Sequence, residues 1–388
     1  MTALEQRITA ILNESQQSNQ MRSLETVQTP QGRVVRIGSS EFLNFCSNDY
    51  LGLSAHPQLS AAAAAAAKHY GVGSGASALL SGRSTLHEEL ENKLAKFMQR
   101  DRALLFSSGY LANIGAIGTL VRRDDHLFCD QLNHASLIDA VALTKAPYTR
   151  FAHTNVNSLG LALGENTGSA RWIITDTLFS MDGDLAPLAD YAELSARHDA
   201  TIIGDDAHGF GVLAEGRGAA AAAGLSQDEL PVQIVTFGKA LGTAGAAVVG
   251  SNRLIQSIIQ RGRTFIYDTA PPPMIAGATI AALEIVETNQ QLHKKLADNI
   301  AQFRQLGAQL PLLESDSPIQ PIMIGQDSTA LAIATELQNA GIYIRAIRPP
   351  TVPVGTARLR ICISAAHLGE DLEALVEALK SAFARHSQ

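Results

Sequence analysis

Lys239 closes the segment Gln233-Ile234-Val235-Thr236-Phe237-Gly238-Lys239, where an apolar, β-branched run gives way to a hydroxyl, a glycine and one ammonium. The small residues Gly242-Thr243-Ala244-Gly245-Ala246 follow. Burying an ammonium at the end of a strand costs free energy and depresses its pKa. A neutral amine is a nucleophile that can form a Schiff base with a carbonyl compound. The alternative, a lysine that snorkels from a strand end to solvent, stays open on this segment alone. The second constellation is Thr201-Ile202-Ile203-Gly204-Asp205-Asp206-Ala207-His208-Gly209. Two carboxylates ending an apolar strand need a positive partner. Adjacent strand residues face opposite ways, so Asp205 and Asp206 cannot both address one ligand. One of them can cap the next turn instead, and His208 can be a hydrogen-bonded core histidine. A hydrolase triad finds no Gly-x-Ser-x-Gly elbow in the chain, and a metal site lacks a third ligand at sensible spacing.

Holding these residues together takes a regular scaffold, and the chain from residue 103 supplies one. Ala103-Leu104-Leu105-Phe106 reads as a strand that ends in Ser107-Ser108-Gly109-Tyr110, with an apolar helix to about Leu120. A strand, a small polar turn and a helix N-terminus form a ready anion site. Further strands are predicted at 126–130, 147–152, 171–176, 201–205, 234–237 and 246–250, with helical stretches between most of them. That alternation predicts an α/β fold with a doubly wound, mostly parallel sheet. Such sheets bind ligands beyond the carboxyl ends of their strands. Ser108 and Gly109, His134, Ser180, Asp205 with His208, and Thr236 with Lys239 all fall just past those ends.

At 388 residues the chain exceeds the ~250–300 at which a single core usually splits. Residues 1–46 read as a helical arm, with Leu4, Ile8, Ile11 and Leu12 at helical spacing, and a short hairpin. Residues 47–285 form the large domain, which a helix from about Met274 to Val286 leaves. Residues 286–388 form a smaller α+β domain, with strands near 320–324, 343–347 and 357–364 and helices near 328–340 and 369–385. Thr85-Leu86-His87-Glu88 reads as a capping box opening an amphipathic helix. The glycine cluster Gly71-Val72-Gly73-Ser74-Gly75 follows a helix-prone stretch and not a strand, so a dinucleotide-binding reading fails.

Composition narrows the function classes. A net charge of −7 with no basic cluster argues against a nucleic-acid binder. Apolar runs such as Ala61–Ala67 are too short to span a bilayer, and the first residues lack a signal peptide's apolar core. Cys46, Cys129 and Cys362, odd in number and far apart, fit reduced thiols of a cytoplasmic protein.

A buried aspartate, a Schiff-base lysine and a helix-terminus phosphate site together match what pyridoxal 5'-phosphate needs. The aspartate keeps the ring nitrogen protonated, so that the ring becomes an electron sink, and the lysine holds the aldehyde. The chain also resembles the α-oxoamine synthases, fold-type-I pyridoxal-phosphate enzymes that join an amino acid to an acyl thioester with loss of carbon dioxide. The resemblance rests on Ser47-Asn48-Asp49-Tyr50-Leu51-Gly52-Leu53, Asn133-His134-Ala135-Ser136-Leu137, Phe179-Ser180-Met181-Asp182-Gly183-Asp184, Asp205-Asp206-Ala207-His208-Gly209 and Thr236-Phe237-Gly238-Lys239. The stretch Ile347–Arg360 looks most like the members that use L-alanine and a pimeloyl thioester, on coenzyme A or acyl carrier protein, to make 8-amino-7-oxononanoate for biotin. Sister enzymes join glycine to acetyl-CoA or succinyl-CoA, or serine to palmitoyl-CoA; the glycine C-acetyltransferase reaction is the nearest alternative. A cofactor-binding regulator without activity is a rival of another class.

The resemblance implies roles residue by residue. Lys239 would be the Schiff-base lysine and Asp205 the partner of the pyridine nitrogen. His134 would stack on the ring, with His208 and Ser180 near its phenolic oxygen. Gly109, Tyr110 and Thr236 would cradle the cofactor. Arg360 would hold the amino acid's carboxylate, for which a bidentate guanidinium is suited. Arg22, by itself an ordinary surface arginine, and Thr351 would contact the acyl substrate or product, and Asn48 would line the site. Family members are homodimers with sites at the subunit interface, and Thr269 corresponds to a residue that reaches the partner's phosphate. Beside it, Asp268 stands where a serine is common, and a carboxylate there would repel a phosphate.

Overall fold

The computed structural model describes residues 1–18, 20–166 and 169–386. In chain order the elements are α1 (Ala3–Gln17), β1 (Val34–Ile37), β2 (Ser40–Asn44), α2 (Pro57–Tyr70), α3 (Thr85–Phe97), β3 (Arg102–Phe106), α4 (Gly109–Leu120), β4 (His126–Asp130) and α5 (Ala135–Thr144). They continue with β5 (Tyr148–Phe151), α6 (Val156–Glu165), β6 (Arg171–Asp176), α7 (Leu188–His198), β7 (Ala200–Asp205), α8 (Ala219–Ala222), β8 (Val232–Thr236), β9 (Ala246–Gly250), α9 (Asn252–Arg261) and α10 (Arg263–Ile266). The last are α11 (Pro273–Thr288), α12 (Gln290–Leu306), β10 (Ile319–Gly325), α13 (Asp327–Asn339), β11 (Ile342–Tyr343), β12 (Ala346–Ile347), β13 (Ala357–Cys362) and α14 (Gly369–His386). The chain divides into a larger compact unit, residues 48–180 with 184–295, and a smaller one, residues 1–47 with 181–183 and 296–388.

The larger unit is built on a seven-stranded sheet of order β3-β9-β8-β7-β6-β4-β5. Its pairs are parallel except for those of β9, which runs antiparallel to both β3 and β8. Six strands therefore end at the same edge. Period-2 alternation explains how both faces are covered. Ile174, Ile203, Ile234 and Val248 pack with Ala112, Ala116 and Ile117 of α4 and Leu137 of α5, whereas Ile173 and Ile202 pack with Leu159 and Leu163 of α6 and Tyr191 of α7. Asp176, Asp205 and Thr236 each lie two residues beyond one of the first set, so strand periodicity aims them toward the α4 and α5 side.

Three local details differ from the sequence reading. The capping box of α3 is made by Ser84 and His87, not Thr85 and Glu88: His87 Nδ1 accepts the Ser84 N–H at 2.9 Å, while its Nε2 lies 2.6 Å from the Pro271 carbonyl. His87 is thus a buried tie between two segments and more than an early-turn residue. Strand β8 stops at Thr236, so Lys239 stands on the turn after it, half-buried. Gly242 supports that turn with φ +66°, where an added Cβ would lie 2.3 Å from the Ser54 nitrogen.

In the smaller unit β1 and β2 form an antiparallel hairpin that β11 joins in parallel, and β10, β13 and β12 form an antiparallel sheet. The single strand expected at 343–347 is two short strands that belong to different sheets. Helix α1 opens with a capping box of Thr2 and Glu5, and Leu4, Ile8, Ile11 and Leu12 are exposed on it. His367 is buried, stacked on Phe45 at 4.3 Å, with Nδ1 accepting the Ser364 N–H at 3.0 Å and Nε2 3.1 Å from the Asn44 carbonyl. Burial lowers its pKa to about 4. A depressed histidine stabilises the fold fully above its unfolded value near 6.5 and loses that contribution as pH falls through about 4. The expected result is an NMR titration midpoint for His367 near 4. It should be accompanied by a loss of roughly 3 kcal/mol of unfolding free energy over that range, absent in His367→Asn. A midpoint near 6.5 would contradict this.

Candidate active site

A cavity of about 420 Å³ opens in the larger unit beyond the carboxyl ends of its strands. It gathers eight of the residues expected from the sequence: Asn48, Gly109, Tyr110, His134, Asp205, His208, Thr236 and Lys239. Strand-end geometry delivers most of them. At one end of the cavity α4 begins, capped by Ser108, whose Oγ accepts the Leu111 N–H at 3.3 Å. The amides of Gly109 and Tyr110 have no acceptor within the helix, as in any first turn. Gly109 is needed for space: a Cβ there would sit 2.6 Å from Thr236 Cγ2. An anion can thus approach the helix terminus and the Thr236 side chain together. Ser107, also on the wall, donates to Asp268 Oδ2 at 2.5 Å, so the unexpected carboxylate binds a hydroxyl of the same turn.

Asp205 is buried, with Oδ2 accepting Asn113 Nδ2 at 2.6 Å and Oδ1 accepting the Ala207 N–H at 3.0 Å. The two donors fix its plane. Asn113 also donates to Ser136 Oγ at 2.9 Å, and that oxygen lies 2.7 Å from His134 Nδ1, which also accepts the Ser136 N–H at 3.2 Å. Nδ1 is therefore an acceptor, and the His134 proton belongs on Nε2. Burial holds the His134 pKa below its ordinary value; the Asp205 charge opposes this and the Lys239 charge adds to it. Asp206 does point the other way, bound by Thr177 Oγ1 at 2.6 Å, Gln233 Nε2 at 2.7 Å and the Ala219 N–H at 2.9 Å. Burial raises its pKa to about 7 despite those donors.

Asp176 is a functional-site residue that the sequence reading missed. It pairs with Asp205 across β6 and β7, lines the cavity and accepts the His134 N–H at 2.6 Å. Burial, then the neighbouring Asp205 charge, pushes its pKa well up. Two buried carboxyl groups side by side favour a ligand that brings a cationic N–H. Asn113, Ser136 and Tyr50 were missed as well. Tyr50 is fully buried, with its hydroxyl 2.7 Å from His208 Nδ1 and 3.2 Å from Asn48 Oδ1. The available signals were a strand-end carboxylate at Asp176, repeating the Asp205 pattern, and a lone amide at Asn113 inside an apolar helix.

Five expected site residues lie elsewhere. Ser180 and Thr269 belong to the larger unit but do not line this cavity, and Thr269 is exposed. Arg22 and Thr351 line a groove within the smaller unit, also of about 420 Å³, together with Arg345 and Arg348. Arg360 is buried on β13 of that unit, where Nη1 donates to Cys362 Sγ at 2.9 Å. Arg358, two residues before it, is ion-paired with Asp182.

The cavity's donor set fits pyridoxal 5'-phosphate. The α4 terminus with Thr236 suits a phosphate, Lys239 suits an aldehyde, and the paired carboxyls suit a protonated ring nitrogen. Among the described residues no cluster of metal-ligating side chains occurs, and no helix is long and apolar enough to cross a membrane.

The family model for aminotransferases of class I and II matches residues 40–379. An 8-amino-7-oxononanoate synthase of Saccharophagus degradans is 46% identical over 382 residues, 97% of this chain and 96% of its own. The chain belongs to the 8-amino-7-oxononanoate synthase family. A solved family member, from Francisella tularensis, is 29% identical with a TM-score of 0.79, covering 89% of this chain and 99% of its own. A serine palmitoyltransferase solved with pyridoxal phosphate superposes over 100% of both chains with a TM-score of 0.94 at 25% identity. The fold-type-I architecture of this synthase family is thus the architecture of the whole chain.

Proposed function

We propose that this chain is a pyridoxal-phosphate-dependent acyltransferase. It condenses L-alanine with a pimeloyl thioester to give 8-amino-7-oxononanoate, carbon dioxide and the free carrier thiol, in biotin synthesis. The observation that carries the reading is the convergence of Lys239, Asp205 and the α4 terminus on one cavity, in a chain so close to the synthases over nearly its full length. When bound, the cofactor supplies an electron sink for negative charge at the α-carbon of alanine.

The chain's own residues do the rest. Lys239 would hold the cofactor's aldehyde, and its amine, on the cavity wall, would take the α-proton and return one to the product. Asp205, fixed by Asn113 and Ala207, faces the ring nitrogen. His134, with its proton on Nε2, would pack on the ring and His208 would lie toward its phenolic oxygen, where resemblance alone also assigns Ser180, a residue off the cavity wall. Gly109, Tyr110 and Thr236 take the phosphate, with Thr269 supplied by the second subunit of a homodimer. By resemblance to the family, Arg360 would anchor the alanine carboxylate, Asn48 would border it, and Arg22 and Thr351 would receive the acyl group. We place the protein in the cytoplasm, where the thiols of Cys46, Cys129 and Cys362, none of them in a disulfide, would stay reduced.

Gly109→Ala tests the cradle. Its Cβ would collide with Thr236 Cγ2, so the apoprotein should bind pyridoxal phosphate about tenfold more weakly, roughly 1.4 kcal/mol, by equilibrium dialysis. Unchanged affinity would remove the phosphate from this end of the cavity. The substrates are tested by assaying the holoprotein with alanine or glycine, each with pimeloyl or acetyl thioester. Turnover should require alanine and pimeloyl thioester, with a visible spectrum that shifts on adding alanine but not glycine. Preference for glycine with acetyl thioester would transfer the chain to the sister reaction. No shift with any amino acid would point to a non-catalytic binder.

A further inference from the structure

His153 lies outside the cavity, just past β5, and no step above uses it. Its ring stands between two carboxylates, with Nδ1 2.9 Å from Asp130 Oδ1 and Nε2 2.8 Å from Asp184 Oδ2. Neutral imidazole carries one N–H and one lone pair, so it can donate to only one of these acceptors. Asp130 is already an acceptor for the N–H groups of Leu132 at 2.9 Å and Thr154 at 2.8 Å. Both contacts are satisfied when both ring nitrogens carry protons. The other groups facing this cluster are the Phe179 ring, edge-on at 4.4 Å, the buried Tyr191 hydroxyl, and Asp190, whose charge acts on Tyr191. None of them is cationic. Burial works against the charged ring, but the hydrogen bonds to Asp130 and Asp184 and then their charges lift it to about 10.

The two carboxylates sit on turns that matter. Asp130 ends β4 and starts the turn to His134, in which Asn133 donates to the Asp130 carbonyl at 3.3 Å and to the Ile174 carbonyl at 2.8 Å. Asp184 closes the turn that contains Ser180, its carbonyl accepting the Phe179 N–H at 2.9 Å. We propose that His153 is a permanently cationic clamp, a positioning residue that ties the His134-bearing turn to the Ser180-bearing turn and so sets the geometry of the reaction site without touching substrate. Its link to rate rests on the reaction proposed above; its charge state does not. The sign follows from a raised folded value: the clamp's contribution is complete below about pH 6.5 and is lost as pH rises through about 10.

Two measurements on the holoprotein test this separately. In histidine-labelled ¹⁵N NMR at pH 8, both His153 ring nitrogens should be protonated while an ordinary histidine is neutral; titration near pH 6.5 would overturn the clamp. In His153→Gln, kcat should fall about tenfold or more with KM for L-alanine changed less than about twofold, and the cofactor's visible circular dichroism should change. His153→Lys, which restores the charge, should recover part of both. An unchanged kcat and dichroism in a folded His153→Gln protein would also overturn the proposal. If the wild type itself fails to turn over alanine, the proposed reaction falls, and the ring titration and dichroism still decide the clamp.

Discussion

Lys239→Ala is expected to abolish turnover, by at least about a thousandfold or roughly 4 kcal/mol in barrier, while the protein still folds. The side chain is half-buried on the turn between β8 and β9 and lines the cavity, so its loss opens space without breaking the sheet. The turn is held by backbone bonds that do not use the side chain: Phe237 N to the Gly245 carbonyl at 2.9 Å, and Thr243 N to the Phe237 carbonyl at 2.9 Å. The defect should therefore be chemical. Borohydride treatment should no longer lock the cofactor to the chain, even where the α4 terminus and Thr236, in their proposed role, still hold its phosphate. A side effect reports on the same geometry: removing the Lys239 charge removes one cause of the low His134 pKa, so that histidine should titrate higher in the variant. Full activity, or an unchanged borohydride adduct, would remove Lys239 from the chemistry.

The sheet was legible because its strands are short apolar runs, and 126–130 and 246–250 coincide with strands of the structure. The order of those strands was not legible. That β9 inserts antiparallel between β3 and β8 depends on which edges meet, and no local pattern in Ala246–Gly250 encodes it. Strand ends were likewise readable as places where polar residues collect, which brought Asp205, His134 and Thr236 to one cavity from their positions just past those ends. The supporting residues were harder to see. Asn113 sits in a mostly apolar helix, and only its bonds to Asp205 at 2.6 Å and Ser136 at 2.9 Å give it a role. Asp176 carries the same signal as Asp205, a carboxylate that closes an apolar strand. His153 had no signal, since its two partners are 23 and 31 residues away in sequence. Arg22, Thr351 and Arg360 came from resemblance only, because nothing in their spacing marks a site.

Asp205→Asn should retain cofactor and lose most of the rate, by at least about a hundredfold or roughly 2.7 kcal/mol. The substitution is nearly isosteric, so packing around a residue only 4% exposed is preserved. Its hydrogen bonding is not. Oδ1 and Oδ2 each accept an N–H, from Ala207 and Asn113, and an amide can offer an oxygen to only one of them. The other donor then meets an NH₂ group, which costs about 1–3 kcal/mol where both are buried. The larger effect is the lost charge. Without it, a ring nitrogen bound as proposed would meet only the carboxyl of Asp176 among the lining residues, and that group is pushed toward the protonated form by burial and by Asp205 itself. Removing Asp205's charge should ease that upward push on Asp176 and lower His134 further, since the same charge raises both. These shifts separate two explanations of a slow variant. If Asp205 acts through its charge, the rate loss and the His134 shift should appear together, with cofactor still bound. A rate within tenfold of wild type, or a large loss of cofactor with His134 unmoved, would mean that Asp205 is a structural cap and that another group faces the ring.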